Sequence, residues 1–181
     1  MLGECLAAVG EPAALDLALR LRADGRQIEA DAILGRLLAE SEESRRAAEH
    51  VIRAFEAYRS DPWPYPATMK RLLVLAAELV REQPDLGARM YGALAEPFAV
   101  RLLDELRRAA LLDIARITDS EELCLQTLEA YGPFFPWQDR FLSERLRCLE
   151  INAHPEVSAA RRDLQRFRAT RPFPLDVGLQ P

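Results

Sequence analysis

The chain has 181 residues, of which 49% are hydrophobic and 29% are charged, a balance that excludes an intrinsically disordered protein and allows one domain with a full core. Its net charge of −5 is spread evenly along the sequence and gives no general attraction for nucleic acid or anionic lipid. No apolar stretch approaches the ~20 residues of a membrane span, so we expect no membrane insertion.

Proline and glycine positions divide the first part of the chain into helices. Pro12 can open a helix because its missing N–H costs nothing in a first turn, and Gly25 can end that helix in a left-handed conformation. Three prolines alternate with other residues between positions 61 and 66, which excludes a helix interior, and Pro66 can open the next helix. The predicted helices of this part cover residues 12–24, 27–40, 44–59, 66–82 and 84–95.

The second part of the chain follows the same logic. We expect Pro97 to open a long helix that ends near Ile117. Asp119 should cap the next helix, with Glu122 three residues later to complete a capping box. Pro155 should open the last helix, because proline is tolerated in a first turn. The predicted helices of this part cover residues 97–117, 120–131, 138–152 and 155–169.

The helix pattern predicts an all-α protein, since no stretch alternates apolar and polar residues as a strand does. The sequence Glu-Ala-Tyr closes predicted helices at Tyr58 and at Tyr131, 73 residues apart, which is about twice the length of a helix-hairpin repeat. We therefore predict antiparallel helical hairpins stacked as a short α-solenoid, with an irregular helical bundle as the alternative. A single helical-repeat domain should span residues 1–170, and residues 171–181 should form an extended tail.

Apolar residues recur at helical spacing, which predicts one buried face per helix.

The three cysteines include no CxxC pair, and their small number fits free thiols in a reducing compartment. We therefore expect a cytoplasmic protein. A disulfide between Cys124 and Cys148 has no support in the sequence.

The buried helix faces predict the residues of the core. The expected core includes Leu34, Leu37, Ile52, Phe55, Leu72, Leu75, Leu79, Leu106 and Leu146.

Residues 14–38 resemble one tetratricopeptide repeat. Small and apolar residues fall at the offsets that this family uses for helix contact and turn, namely Ala18, Gly25, Ala30, Leu34 and Leu37. The resemblance implies an α-helical repeat scaffold that binds a peptide or another protein in a concave groove, and it implies no catalytic residues. Within this hairpin, Ala18 should face Ala30 or Leu34.

Large aromatic side chains beside the proline-rich turns are the main functional lead. Exposed aromatics bury much area at low entropic cost, and they therefore suit a partner contact or self-association. The alternative is that they fold back and cover the ends of the helices. The candidate partner-binding residues are Trp63, Tyr65, Phe134, Phe135 and Trp137.

Residues typical of catalysis are sparse. We interpret His50 as a surface residue and His154 as a helix-end residue, and the sequence has none of the common zinc, nucleotide or hydrolase motifs. We expect no catalytic residue, no metal and no cofactor. Arginines concentrate between Arg161 and Arg171, but the negative net charge favours a solvated helix face over a nucleic-acid surface.

These features predict a non-enzymatic helical-repeat scaffold or adaptor that binds another protein or a peptide, or a segment of a larger polypeptide with that role. The first alternative is an accessory or regulatory helical subunit of an enzyme. The second is an arginine-rich accessory domain for nucleic acid. Lys70 is the single lysine, and this strong bias towards arginine is typical of a GC-rich bacterial genome.

Overall fold

The computed structural model of the chain describes residues 2–63, 65–132 and 135–170. In these residues the regular structure consists of ten α-helices and two short 3₁₀ helices, with no β-strand. The all-α class is therefore confirmed. The predicted tail over residues 171–181 lies outside the described residues.

Contacts divide the chain into two compact units, with the boundary between Leu123 and Cys124. The single domain expected over residues 1–170 stays a prediction. Among the residues described, no helix combines the length and the apolar character needed to cross a membrane.

The first unit is built from α-helices with short connections. Its two 3₁₀ helices, Pro84–Leu86 and Arg101–Leu103, directly precede the sixth and seventh α-helices. The α-helices are α1 (Leu2–Ala8), α2 (Ala13–Ala23), α3 (Gln27–Glu40), α4 (Ser44–Tyr58), α5 (Pro66–Glu82), α6 (Gly87–Ala95) and α7 (Asp104–Ile117).

Local signals account for most of these boundaries. Pro66 occupies the first turn of α5, where its missing N–H is not needed. Gly25 has a φ of +77° between α2 and α3, a conformation that costs glycine little. The predicted hairpin is confirmed, because α2 and α3 pack together and Ala18 lies in one apolar cluster with Leu34.

Packing within the first unit follows the order of stacked hairpins. Each helix contacts the next one along the chain, and α1, α3, α5 and α7 form a row in which successive members pack together. Helices α4 and α6 also pack together, as members of the opposite row. Hairpins that stack side by side produce this pattern of neighbours. The extension of such stacking to the whole chain stays a prediction.

The core of the first unit matches most of the expected positions. Phe55, Leu72, Leu75 and Leu79 are buried in the main apolar cluster. Leu106 is 43% exposed, so its predicted burial was wrong. The remaining expected core residues of this unit are one buried leucine of the smaller cluster, Leu34, and two partly buried residues, Leu37 and Ile52. Leu146, in the second unit, is also partly buried.

The helix predicted from Pro97 is wrong over its first four residues, because helical structure begins only with the 3₁₀ helix at Arg101 and α7 follows at Asp104. Phe98 is buried instead, with its ring 5.9 Å from the ring of Phe55 and 5.7 Å from that of Tyr58. The amide of the following residue, Ala99, donates a hydrogen bond to the Tyr58 carbonyl at 3.2 Å. Tertiary contacts therefore hold this segment outside the helix.

Two further expectations at helix ends need correction. Asp119 was expected to cap the following helix, but it has a positive φ of 48°. The Leu123 amide donates instead to the Ser120 hydroxyl at 3.3 Å. Helix α1 was not predicted at all. It is stabilised by packing, since a Cβ added to Gly3 would lie 2.4 Å from the Ile33 side chain, and so short a helix is not stable alone.

The second unit begins within a helix and contains two more. These are α8 (Glu121–Tyr131), which spans the boundary, α9 (Asp139–Ile151) and α10 (Val157–Thr170). Helices α9 and α10 pack together. A disulfide joins Cys124 on α8 to Cys148 on α9, and both cysteines are fully buried. The expectation of three free thiols was wrong, because spacing along the sequence does not show which helices come together in the fold.

A pair of leucine substitutions tests the placement of the core. We expect Leu79→Ala to lower the free energy of unfolding by about 2–5 kcal/mol, because it removes a fully buried side chain. Leu106→Ala, at an exposed position, should change it by less than about 0.5 kcal/mol. Chemical denaturation followed by circular dichroism measures both. Equal effects of the two substitutions would contradict the assignment of the buried faces.

The disulfide makes a separate prediction. Protein denatured without reductant should show one reactive thiol, that of Cys5, and three after reduction. A Cys5→Ser control should show none before reduction. The cross-linked residues are 24 positions apart, so reduction should lower the stability of the second unit by about 3–4 kcal/mol. Three thiols without reductant would exclude the bond.

Candidate protein-binding surface

An apolar groove lies along the row of α1, α3 and α5. It encloses about 470 Å³. Helix α3 packs against both of the other helices, so it forms the floor of the groove while α1 and α5 form its walls. The volume falls within the range of about 300–1,000 Å³ that is typical of ligand sites in proteins. We refer to this feature as the α1/α3/α5 groove.

Small side chains create the space above the floor. Ala32 and Arg36 lie one turn apart on α3, and both line the groove. Ala32 is buried and short, so it leaves room between the two walls. Arg36 is held at the edge by ion pairs with Glu40 at 2.7 Å and with Glu78 at 3.1 Å.

Helix α5 supplies an apolar wall in which one apolar residue, Val74, is exposed. Leu72 and Leu75 line the groove and also reach the core, whereas Val74 is 58% exposed. One signal in the sequence indicates this arrangement. Residues 72–77 are all apolar, and six consecutive residues cover every face of a helix. At least one of them must therefore point away from the core.

The rim of the groove carries charge. Glu4 on α1 forms an ion pair with Arg71 on α5, which links the two walls. Lys70 also lines the groove and is exposed, and it forms no ion pair with the part of the chain that the structure describes. The rim therefore presents one cation without a counter-charge in that part of the chain.

The predicted aromatic candidates of the first unit lie in the turn between α4 and α5. Trp63 is 89% exposed, and its backbone amide donates to the Asp61 carboxylate at 2.9 Å. Tyr65 is about half exposed and lines a separate cavity of about 380 Å³ beside α1, α2 and α3. Trp63 is thus a freely accessible aromatic side chain. Phe134, another candidate, lies outside the described residues.

The remaining aromatic candidates belong to the second unit. Phe135 packs edge-on against Tyr131, with ring centroids 4.8 Å apart, and against Phe141 at 6.3 Å. Trp137 packs edge-on against Phe167 at 6.4 Å, and about half of it remains exposed. Phe135 therefore covers the end of the helical layer, whereas Trp137 covers α10 with one edge and leaves the rest accessible.

A polar cluster joins α2, α3 and α4. Asp31 is only 1% exposed, and its carboxylate accepts hydrogen bonds from Arg22 at 3.1 Å, Gln27 at 2.7 Å and Arg53 at 3.3 Å. His50 Nδ1 lies 2.6 Å from the same carboxylate. The expectation that His50 is a surface residue was wrong, because its side chain is only 16% exposed. A buried carboxylate needs such partners to remain charged.

Opposing effects act on the pKa of Asp31. Burial alone would raise it, but hydrogen bonds from His50, Gln27 and Arg53 lower it further than burial raises it, so the net pKa lies below the usual value. The carboxylate is therefore charged at neutral pH and stabilises the folded state. The cluster is closed by partners from three helices, and we assign it a structural role.

A smaller cavity of about 330 Å³ lies within the second unit. His154 lines it and accepts a hydrogen bond from the Glu156 amide at 3.2 Å through Nδ1. Arg145 crosses its edge and pairs with Asp163 at 3.1 Å and with Glu156 at 3.4 Å. His154 lies just beyond the end of α9, as expected from the sequence. Three polar residues of its lining, Arg145, His154 and Glu156, bind one another.

The C-terminal arginines are partly neutralised. Arg161 pairs with Glu150 at 2.6 Å, and Arg168 pairs with Asp139 at 2.8 Å. Arg162 and Arg166 are exposed on α10. Arginines that bind acidic side chains offer less charge to a phosphate backbone, so Arg161 and Arg168 contribute little to a basic surface. Arg171 lies outside the described residues.

Comparison with protein-family models, with curated proteins and with solved structures finds no match. The tetratricopeptide resemblance of residues 14–38 therefore stays a prediction. Within the described residues, no group of three or more His, Cys, Asp and Glu side chains is placed to hold a metal ion. The α1/α3/α5 groove was not among the predicted sites, because it is formed by small side chains that carry no motif.

The Asp31 cluster predicts a specific dependence on pH. The pKa of Asp31 is lowered in the folded state. The contribution of this carboxylate to the free energy of unfolding is therefore complete above its pKa in the unfolded chain, about 3.9, and is lost as the pH falls through its pKa in the folded state. We expect Asp31→Asn to cost about 1–3 kcal/mol at pH 7. The difference from the wild type should shrink below about pH 4. Denaturation series between pH 7 and pH 3 measure it, and a constant difference would contradict this role.

Proposed function

We propose that the chain is a non-enzymatic helical-repeat scaffold or adaptor that binds another protein or a peptide. The α1/α3/α5 groove is the observation that carries this proposal. Its apolar walls and the exposed Val74 form a surface that water solvates poorly. A partner that covers this surface would gain the free energy of apolar burial.

The aromatic turn adds a second contact surface to the proposal. Trp63 is almost fully exposed, and tryptophan is enriched among the residues that dominate binding energy in protein interfaces. Prolines stand on both sides of it in the sequence and restrict the backbone there. Trp137 keeps the same role in the proposal, whereas the packing of Phe135 favours a structural role for that residue.

The proposal includes a cytoplasmic location, and the redox state of Cys124 and Cys148 tests that part of it. Disulfides persist mainly in oxidising compartments, and Cys124 and Cys148 are paired. A cytoplasmic location predicts reduced Cys124 and Cys148 in freshly extracted protein, whereas an oxidising compartment predicts that the disulfide is present. Trapping thiols with an alkylating reagent at the moment of lysis distinguishes one reactive thiol from three.

Paired substitutions test the binding function. We expect Val74→Arg to remove the proteins that co-purify with the tagged chain from native lysate, because it places a charge on the apolar wall. Leu102→Arg is the matched control, since Leu102 is 72% exposed and lies outside the groove. Trp63→Ala should weaken the same associations to a smaller extent. Quantitative mass spectrometry compares the captured proteins.

Two outcomes would contradict the proposed contact surfaces. Identical sets of captured proteins for wild type and Val74→Arg would exclude the groove as the binding surface. Circular dichroism and thermal melting must show that each variant retains its helices, so that lost association is not lost folding. If Trp63→Ala lowers thermal stability instead of association, the aromatic turn is structural.

A further inference from the structure

We propose that the α1/α3/α5 groove binds an amphipathic helix of a partner protein whose polar flank is acidic. This inference rests on the proposed function and specifies the chemistry of the partner. It draws on the shape of the groove, on the exposure of its apolar wall and on the charges at its rim.

The shape of the groove favours a helix as the bound element. Helix α3 contributes Ala32 and Arg36 to the floor, and residues of α1 and α5 line the groove on either side. A helix is about 10–12 Å wide with side chains, and one laid over α3 would touch both walls. Apolar residues at positions i, i+3, i+4 and i+7 of that helix would contact Val74 on one wall and Ala8 on the other.

Charge at the rim indicates which residues should flank the apolar face of the bound helix. The lining of the groove contains three basic residues, Arg36, Lys70 and Arg71, against one acidic residue, Glu4. Two of these basic residues, Arg36 and Arg71, are already paired with carboxylates. The selectivity of the groove therefore depends on Lys70, beside which a carboxylate of the partner is favoured over a cation.

Lys70 is the residue that would make this selection. Arg71 is neutralised by Glu4, and Arg36 by Glu40 and Glu78. Lys70 is exposed at the rim and has no ion-pair partner within the described ranges. A carboxylate on the bound helix would supply its counter-charge.

Two synthetic peptides provide the probes. Both are 18-residue amphipathic helices with leucine at i, i+3, i+4 and i+7; one carries glutamate along the polar flank, and the other carries lysine at the same positions. Fluorescence anisotropy of labelled peptide measures Kd with the full chain. We expect the acidic peptide to bind more tightly than the basic one, by a ratio that decreases as salt is raised.

Variants of the protein identify the contacts. Lys70→Glu should weaken the acidic peptide about fivefold and strengthen the basic one. Val74→Arg should weaken both by at least about tenfold, and Leu102→Arg should change neither. Lys70 is exposed, so its variant tests the proposal even if Val74→Arg does not fold.

Cys5 reports where the peptide binds. It is free, exposed and part of the groove lining, so a bound helix should slow its alkylation by iodoacetamide several-fold. Titration with the acidic peptide in the absence of reductant measures this protection. Binding without protection of Cys5 would place the peptide elsewhere and overturn the proposal.

Other outcomes distinguish this inference from the broader function. Equal affinity for both peptides, or no effect of Lys70→Glu, would overturn the acidic partner while the co-purification test could still support protein binding. Absence of binding by either peptide would overturn the helix. A concentration-dependent dimer that Val74→Arg disrupts, seen by analytical ultracentrifugation, would identify a second copy as the occupant and would also overturn this proposal.

Discussion

Burial of a carboxylate in the most enclosed helix is the constraint on which the first unit depends. Helix α3 contacts α1, α2, α4 and α5, and Asp31 lies on it almost without exposure. Apolar packing restricts the orientation of two helices through the fit of their side chains, and charged hydrogen bonds add a directional constraint. Arg22 on α2 and Arg53 on α4 must reach the same carboxylate, and this requirement fixes both helices around α3.

The groove follows from the same arrangement. Once α2 and α4 are held around Asp31, the neighbouring face of α3 carries Ala32 and Arg36, which are too short or too polar to fill the space between α1 and α5. The ion pair between Glu4 and Arg71 then holds the two walls together across this floor. The Asp31 cluster and the α1/α3/α5 groove thus occupy adjacent faces of one helix.

Local chemistry allowed the fold class and most helix boundaries to be predicted from the sequence. Pro66 and Gly25 act within one turn of the chain, so their effects can be inferred without knowledge of neighbours. Two of the errors depend on distant contacts. Phe98 leaves the predicted helix to join an aromatic cluster, and the Cys124 disulfide needs two helices to meet. The exposure of Trp63 was predictable only as one of two alternatives, because its packing depends on the neighbouring helices.

The bias of the chain towards arginine has a chemical consequence for the groove. Lys70 is the only lysine in the sequence, and it lies on the groove rim. A guanidinium stays protonated and does not react with acylating reagents under conditions in which an amine does. Every side-chain amine reaction, whether acetylation, ubiquitin conjugation or cross-linking by an activated ester, is therefore directed to this one position. Acetylation there would remove the charge that the rim presents.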